Sequence, residues 1–430
     1  MNQTNTTANP VRRVLTASLI GTTIEFFDFY IFATASVLVF PKLFFSAGDV
    51  TSATLMSLAT FALAFFARPL GAALFGHFGD RKGRKATLVA ALLTMGPSTV
   101  AIGLLPGYQS IGITAPILLA LFRFGQGLGL GGEWGGAVLL ATENAPPGKK
   151  AWYGMFPQLG APIGFLFSSA TFTILGRTLT DQQFLDFGWR IPFIASALLV
   201  WVGLYVRLKL AETPDFMRII ENNERVKVPF ADVFVKHTKA IILGTLATVI
   251  TFLLFYLMTV FTLSWGTSVL HYSRNGFLMA QNIGICFFGL AIPISAALAD
   301  KFGRSNILLL TTALIFLFGL FFSSLFGAGN WPATMCFLVM GMFLMGLSHG
   351  TIGTALAEIF PASVRYTGAS LAFTLAGVLG AAPAPSLATT LATNYGLSYV
   401  GYYISLVAVI SLLALLAARS SMKEASTRQA

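Results

Sequence analysis

Gly79-Asp80-Arg81-Lys82-Gly83-Arg84 separates two long apolar runs, and Ala299-Asp300-Lys301-Phe302-Gly303-Arg304 separates two others, roughly 220 residues later. A second pair obeys the same spacing. Glu143-x-x-Pro146-x-x-x-Lys150 closes the fourth apolar run, and Glu358-x-x-Pro361-x-x-x-Arg365 closes the tenth, roughly 215 residues later. Two motifs that recur at nearly one offset mark a duplicated unit of six apolar runs. Within each copy, an Asp at the end of one helix and an Arg at the start of the next can pair through charge-assisted hydrogen bonds. The acid that closes the fourth run of that half is a further partner. Gly79 and Gly83 let the short loop turn. Asp80, Arg84 and Glu143, with Asp300, Arg304, Glu358 and Arg365 in the second copy, are therefore expected to form a gate that latches one side of the molecule in one state and breaks in another.

The composition agrees with repeated membrane crossing. Of 430 residues, 56% are hydrophobic and only 10% charged, with a mean hydropathy of +0.77. Soluble domains carry about 25% charged residues. Hydropathy places twelve spans near 14–40, 51–78, 86–106, 114–142, 151–176, 188–208, 240–265, 275–299, 305–327, 332–357, 366–392 and 398–418. The expected fold is an all-α membrane protein of two six-helix halves, residues 1–208 and 240–418, related by a pseudo-two-fold axis. A polar cytoplasmic linker, 209–239, joins them and carries Glu212, Arg218, Glu221, Glu224, Arg225 and Lys227; residues 419–430 form a tail. The first apolar run contains acids and no small-residue cleavage site, so it reads as a span rather than a signal peptide.

Of the 27 Lys and Arg, only Lys42, Arg177, Arg190 and Arg274 fall in one set of loops, and Arg68 and Arg123 fall inside spans. The rest crowd the other side, which by the positive-inside rule is cytoplasmic and holds both termini. This placement accounts for the net charge of +11 without nucleic acid. Cys286 and Cys336 lie in apolar runs and form no disulfide framework, metal motif or cofactor motif.

The chemistry concentrates in the first half. Gly21-Thr22-Thr23-Ile24-Glu25-Phe26-Phe27-Asp28-Phe29-Tyr30-Ile31-Phe32 puts two carboxylates three residues apart on one face of the first span. A charge at the centre of a membrane helix costs roughly 2.5–3.5 kcal/mol, and such groups mark pathways or relays. The second span holds Arg68, and the fourth holds Arg123 and Glu133 with Gly127, Gly131 and Gly135 at four-residue intervals. The glycines are a packing stripe. Arg123 and Glu133 lie about 15 Å apart along a helix axis, too far to pair. The expected partners are Asp28 or Glu25 for Arg123, and Arg68 for Glu133. Gln158, Tyr256 and His349 are further candidates to touch substrate; each is also a plausible packing or helix-bridging residue.

Taken together, Ile24–Tyr30, Ala67-Arg68-Pro69-Leu70-Gly71, the stretch 76–85, Gly131-Gly132-Glu133-Trp134-Gly135-Gly136, Gly188-Trp189-Arg190-Ile191-Pro192-Phe193 and Val364-Arg365-Tyr366-Thr367-Gly368 resemble the metabolite:proton symporter family of the major facilitator superfamily. That family includes bacterial shikimate, α-ketoglutarate, citrate and proline/betaine carriers, and the likeness is strongest to enterobacterial inner-membrane metabolite transporters of undefined substrate. The resemblance implies a bacterial inner membrane and proton-driven uptake. It does not extend to the long coiled-coil tail of the proline/betaine carriers, so osmosensing through such a tail is not expected. The resulting expectation is a monomeric, non-enzymatic carrier in the lipid bilayer that moves a small organic acid or related metabolite with protons. Asp28 stands first, Glu25 second and Glu133 third as proton carriers, with Arg68 and Arg123 as anion ligands. The alternative is an uncoupled facilitator or exporter.

Overall fold

A membrane core offers no water to unpaired backbone groups, so an apolar chain crosses it as helices that satisfy their own N–H and C=O groups. The computed structural model describes residues 10–45, 50–221, 229–327 and 329–427, and among these no strand occurs. Twelve long helices follow in order: α1 Val11–Leu38, α2 Val50–Lys82, α3 Arg84–Leu104, α4 Thr114–Glu143, α5 Lys150–Thr178 and α6 Arg190–Leu208; then α7 Thr238–Tyr256, α8 Arg274–Phe302, α9 Arg304–Leu320, α10 Trp331–Ile359, α11 Arg365–Gly380 and α12 Leu397–Thr427. Ten spans among the described residues are long and apolar enough to cross a membrane by composition alone. The two helices outside that set are instructive. α9 has 17 residues, and α4 is diluted by Arg123, Gln126 and its glycines.

Several spans are interrupted where the sequence dictates it. α7 continues through a π-helical turn, Leu257–Phe261, into Thr262–Ser268. Beyond α11 the chain breaks near Pro383 and resumes as Ala384–Tyr395. Two short helices, Pro214–Glu221 and Pro229–Lys236, occupy the connection between the halves. Glu224, Arg225 and Lys227 lie outside the described residues.

The duplicated loops have one backbone solution. Gly83 and Gly303 both take left-handed φ, +114° and +90°, and each caps the start of the next helix. A side chain at either position would be strained. The glycine stripe of α4 packs as a stripe should. A Cβ on Gly131 would lie 2.0 Å from the Arg68 carbonyl of α2, and one on Gly127 would lie 2.7 Å from that of Ala64. Gly135 behaves differently, since its Cβ would meet Ser370 on α11 in the other half.

The halves meet along α2 with α11, α5 with α8 and α10, and α4 with α10 and α11. The closest contacts lie toward the face that carries the duplicated loops, hereafter the basic face. There Gly79 backs onto the Tyr366 ring, Gly76 onto Thr367, and Trp134 stacks on Phe373 at 3.5 Å and 5°.

Candidate functional site

Asp28 is buried on α1, turned toward α3 and α6. Ser196 donates to its two oxygens at 2.7 and 2.9 Å, and Thr99 donates to Oδ2 at 2.9 Å. The Thr99 hydroxyl in turn accepts from Gln126 Nε2 at 2.8 Å, and Gln126 Oε1 accepts from Arg123 Nη1 at 3.0 Å. Arg123 is therefore linked to Asp28 through two side chains rather than paired with it or with Glu25, contrary to expectation. What holds the guanidinium instead is aromatic. It lies 4.0 Å from the Phe32 centroid, 4.8 Å from Phe29 and 5.0 Å from Phe61. Ring faces attract a desolvated cation. Its Nη2 is buried without a hydrogen-bond partner among the described residues.

Glu25 takes Arg68 as its partner, at 3.7 Å. Arg68 also lies over Phe29 at 5.0 Å, so the Phe29 ring is flanked by both arginines. Glu25 Oε2 and Arg68 Nε are buried without hydrogen-bond partners among the described residues. The expected pairing of Arg68 with Glu133 is not made. Glu133 binds Arg207, whose Nη1 donates to the Leu88 carbonyl of α3 at 2.9 Å. Arg207 reads in sequence as one more positive-inside residue at the end of a span, yet it is only 2% exposed. Gly21 makes room for it, since a Cβ there would lie 2.1 Å from Nη2. Within the spans, Glu25, Asp28 and Glu133 outnumber Arg68 and Arg123 by one, and that surplus was the available signal for a third buried cation.

Gln158 bridges the halves. Its Oε1 accepts from Trp134 Nε1 at 2.9 Å, and its Nε2 donates to the His349 carbonyl at 2.8 Å. Both ends of the amide are thus engaged by protein. His349 packs on Phe288, with Nε2 buried and unpartnered among the described residues. Tyr256 of the second half packs its ring 5.6 Å from Phe65, the ring that lies 5.9 Å from the Arg68 guanidinium.

The basic face is closed by both copies of the loop motif. Arg84 donates to Asp80 at 3.1 Å, to Glu143 at 3.4 Å and to the Ala362 carbonyl at 3.4 Å. Asp80 also accepts from the backbone of Tyr366 and Thr367 at 3.2 and 3.0 Å and from the Thr367 hydroxyl at 2.8 Å. Arg365 lies 3.7 Å from Glu143. In the second copy Arg304 binds Glu358 at 2.5 Å and Asp300 at 3.6 Å. Asp300 accepts from the Ala151 and Trp152 amides that begin α5, both at 2.9 Å. Each Asp therefore ties its own loop to the opposite half. One member was not foreseen: Glu212 of the connecting segment, which accepts from the Arg84 and Lys85 amides at 3.0 and 3.3 Å.

The pattern of the Major Facilitator Superfamily matches residues 18–385. The chain belongs to that superfamily. Among curated relatives of this major facilitator protein, the inner membrane metabolite transport protein YhjE of Escherichia coli strain K12 is 56% identical over 419 residues, covering 96% of this chain and 95% of its own. The shikimate transporter of the same strain is 34% identical over 423 residues, with 96% and 95% coverage. Among solved structures, the proton:xylose symporter XylE bound to 6-bromo-6-deoxy-D-glucose superposes with a TM-score of 0.76 over 94% of both chains at 16% identity, a likeness of fold. The major facilitator chain is a multi-pass membrane transporter and not an enzyme, built as twelve helices in two related halves.

Proposed function

We propose that this transporter carries a small organic acid together with protons across the bacterial inner membrane by alternating access. Its basic face and both termini are cytoplasmic in this reading. The observation that supports it most is the Asp28 cluster. Ser196 and Thr99 are hydroxyls, which donate to a carboxylate and accept from a carboxylic acid. Of Glu25, Asp28 and Glu133, the buried acids away from the loop motifs, Asp28 alone has partners suited to both protonation states, whereas Glu25 and Glu133 face arginines. Asp28 is accordingly the first proton carrier, and Arg68, beside the second half's Tyr256, is the anion ligand. Arg123 responds to Asp28 through Gln126 and Thr99. The activities of the relatives, metabolite and shikimate transport, fit the same reading.

The latch residues hold the cytoplasmic side shut while substrate enters from outside, and their rupture opens the path inward. The proposed units of this motion are residues 1–208 and 240–418, joined by 209–239. The test is an acid pulse in reverse: adding substrate to de-energised cells should alkalinise an unbuffered medium as protons enter with it. Uptake with no change of pH would show a facilitator instead.

A further inference from the structure

Building on the proton symport proposed above, we infer that each cycle moves one monoanion with one proton, so that no net charge crosses the membrane and the substrates are monocarboxylates. The ground is the charge inventory of the buried site. Away from the latch, the buried ionic side chains among the described residues are Glu25, Asp28 and Glu133 against Arg68, Arg123 and Arg207. Arg207 makes this balance, which without it would be one negative charge in excess. The charges come from four helices packed on the site. α1 supplies Glu25 and Asp28, α2 Arg68, α4 Arg123 and Glu133, and α6 Arg207, while α3 supplies the neutral Thr99. From the second half, Tyr256 packs on the Phe65 ring that Arg68 also approaches, and His349 is buried against Phe288.

A net charge left in a low-dielectric interior is expensive, several kcal/mol per uncompensated ion. The empty carrier is neutral. With one proton alone it is +1, and with one monoanion alone it is −1. With both it is neutral again. Only the empty and the doubly loaded forms escape the penalty, so these two change conformation and coupling is obligatory. Arg207 is spent on Glu133, while Arg68 Nε and Arg123 Nη2, both unpartnered among the described residues, lie over the same Phe29 ring, so the anion has one place to bind. A dicarboxylate would need a second proton, and the two acids other than Asp28 each face an arginine; a zwitterion would need no proton.

The experiment uses the full chain purified and reconstituted in proteoliposomes. A thermal-shift panel of shikimate, lactate and benzoate as monoanions, succinate and citrate as polyanions, and proline and betaine as zwitterions selects the probe. A monocarboxylate should give the largest stabilisation. A larger effect of a polyanion or zwitterion, or no response to any of the three monocarboxylates, overturns the inference. The selected radiolabelled monocarboxylate is then driven by an inside-alkaline pH gradient or by a tenfold potassium gradient with valinomycin. We expect accumulation with the pH gradient and less than a twofold response to the potential. Each net positive charge moved would instead give about tenfold accumulation from the potassium gradient, which overturns electroneutrality while leaving proton symport standing. Exchange of labelled for unlabelled probe without any pH-driven accumulation would sink the symport reading itself, and the inference with it.

Discussion

Arg207 reaches from the last turn of α6 to pair with Glu133 on α4, and nothing else among the described residues neutralises that buried carboxylate so closely. The pair binds the end of the sixth helix to the middle of the fourth and completes the charge balance of the first half. Removing one member strands the other. Arg207→Met should destabilise the protein by about 3–5 kcal/mol, read as a fall in the melting temperature in detergent. The double variant Glu133→Gln/Arg207→Met should recover much of the loss. If the single variants are both silent, the pair contributes nothing to stability.

Asp28 sits among hydroxyl partners that accept an amide in its place. Asp28→Asn should therefore fold normally, retain exchange of labelled for unlabelled substrate, and lose accumulation driven by a pH gradient. Measuring both activities in the same proteoliposome preparation checks this. Preserved pH-driven accumulation would move the proton to Glu25 or Glu133.

Arg68 offers a planar guanidinium between Phe29 and Glu25, a geometry that a lysine ammonium does not copy. A hydrogen bond to a charged group contributes about 1.5–3 kcal/mol. Arg68→Gln should raise the apparent KM by about tenfold or more, and Arg68→Lys should fall between the two. Initial uptake rates over a range of substrate concentration separate KM from maximal velocity. An unchanged KM in both variants would remove Arg68 from the binding site.

Asp80 holds the first half to the amides of Tyr366 and Thr367 in the second. Asp80→Asn keeps the shape but forfeits the charge on four hydrogen bonds. The latch should then open more often. Thr354, buried where α10 crosses Gly154 of α5, is the reporter. In a background lacking Cys286 and Cys336, Thr354→Cys should react with maleimide several-fold faster when Asp80→Asn is present. Equal rates would show that this contact does not bear on opening.

The glycine stripe makes a separate prediction about packing. Gly131→Ala drives a methyl group against the Arg68 carbonyl, and overpacking of this kind costs about 1–3 kcal/mol. Gly176→Ala, with nothing within 4 Å of its Cβ, should be neutral or stabilising. A comparison of melting temperatures distinguishes a close helix crossing from a general intolerance to alanine.

The crossing number, the duplication and the ion-pair partners within the loop motifs were legible in the chain alone. A membrane leaves helices as the available answer to a long apolar run, and a repeated motif with a left-handed glycine at Gly83 and Gly303 leaves little freedom in how the runs connect. The same holds for the residues of the latch, because Asp80 and Arg84 are near neighbours in sequence and Glu143 ends the adjoining helix. The partners of the buried charges were not legible. Which acid meets which arginine depends on helix rotation and on the depth to which a long side chain reaches. Local sequence does not specify either. So Arg68 turned to Glu25, Arg123 settled among phenylalanines, and Arg207, apparently a surface cation at the end of α6, entered the core where Gly21 leaves space for its guanidinium. Composition determined that this protein lives in a membrane, and its repeated motifs that it is built as two like halves. The close approach of helices at their glycines decided which of its charges are joined.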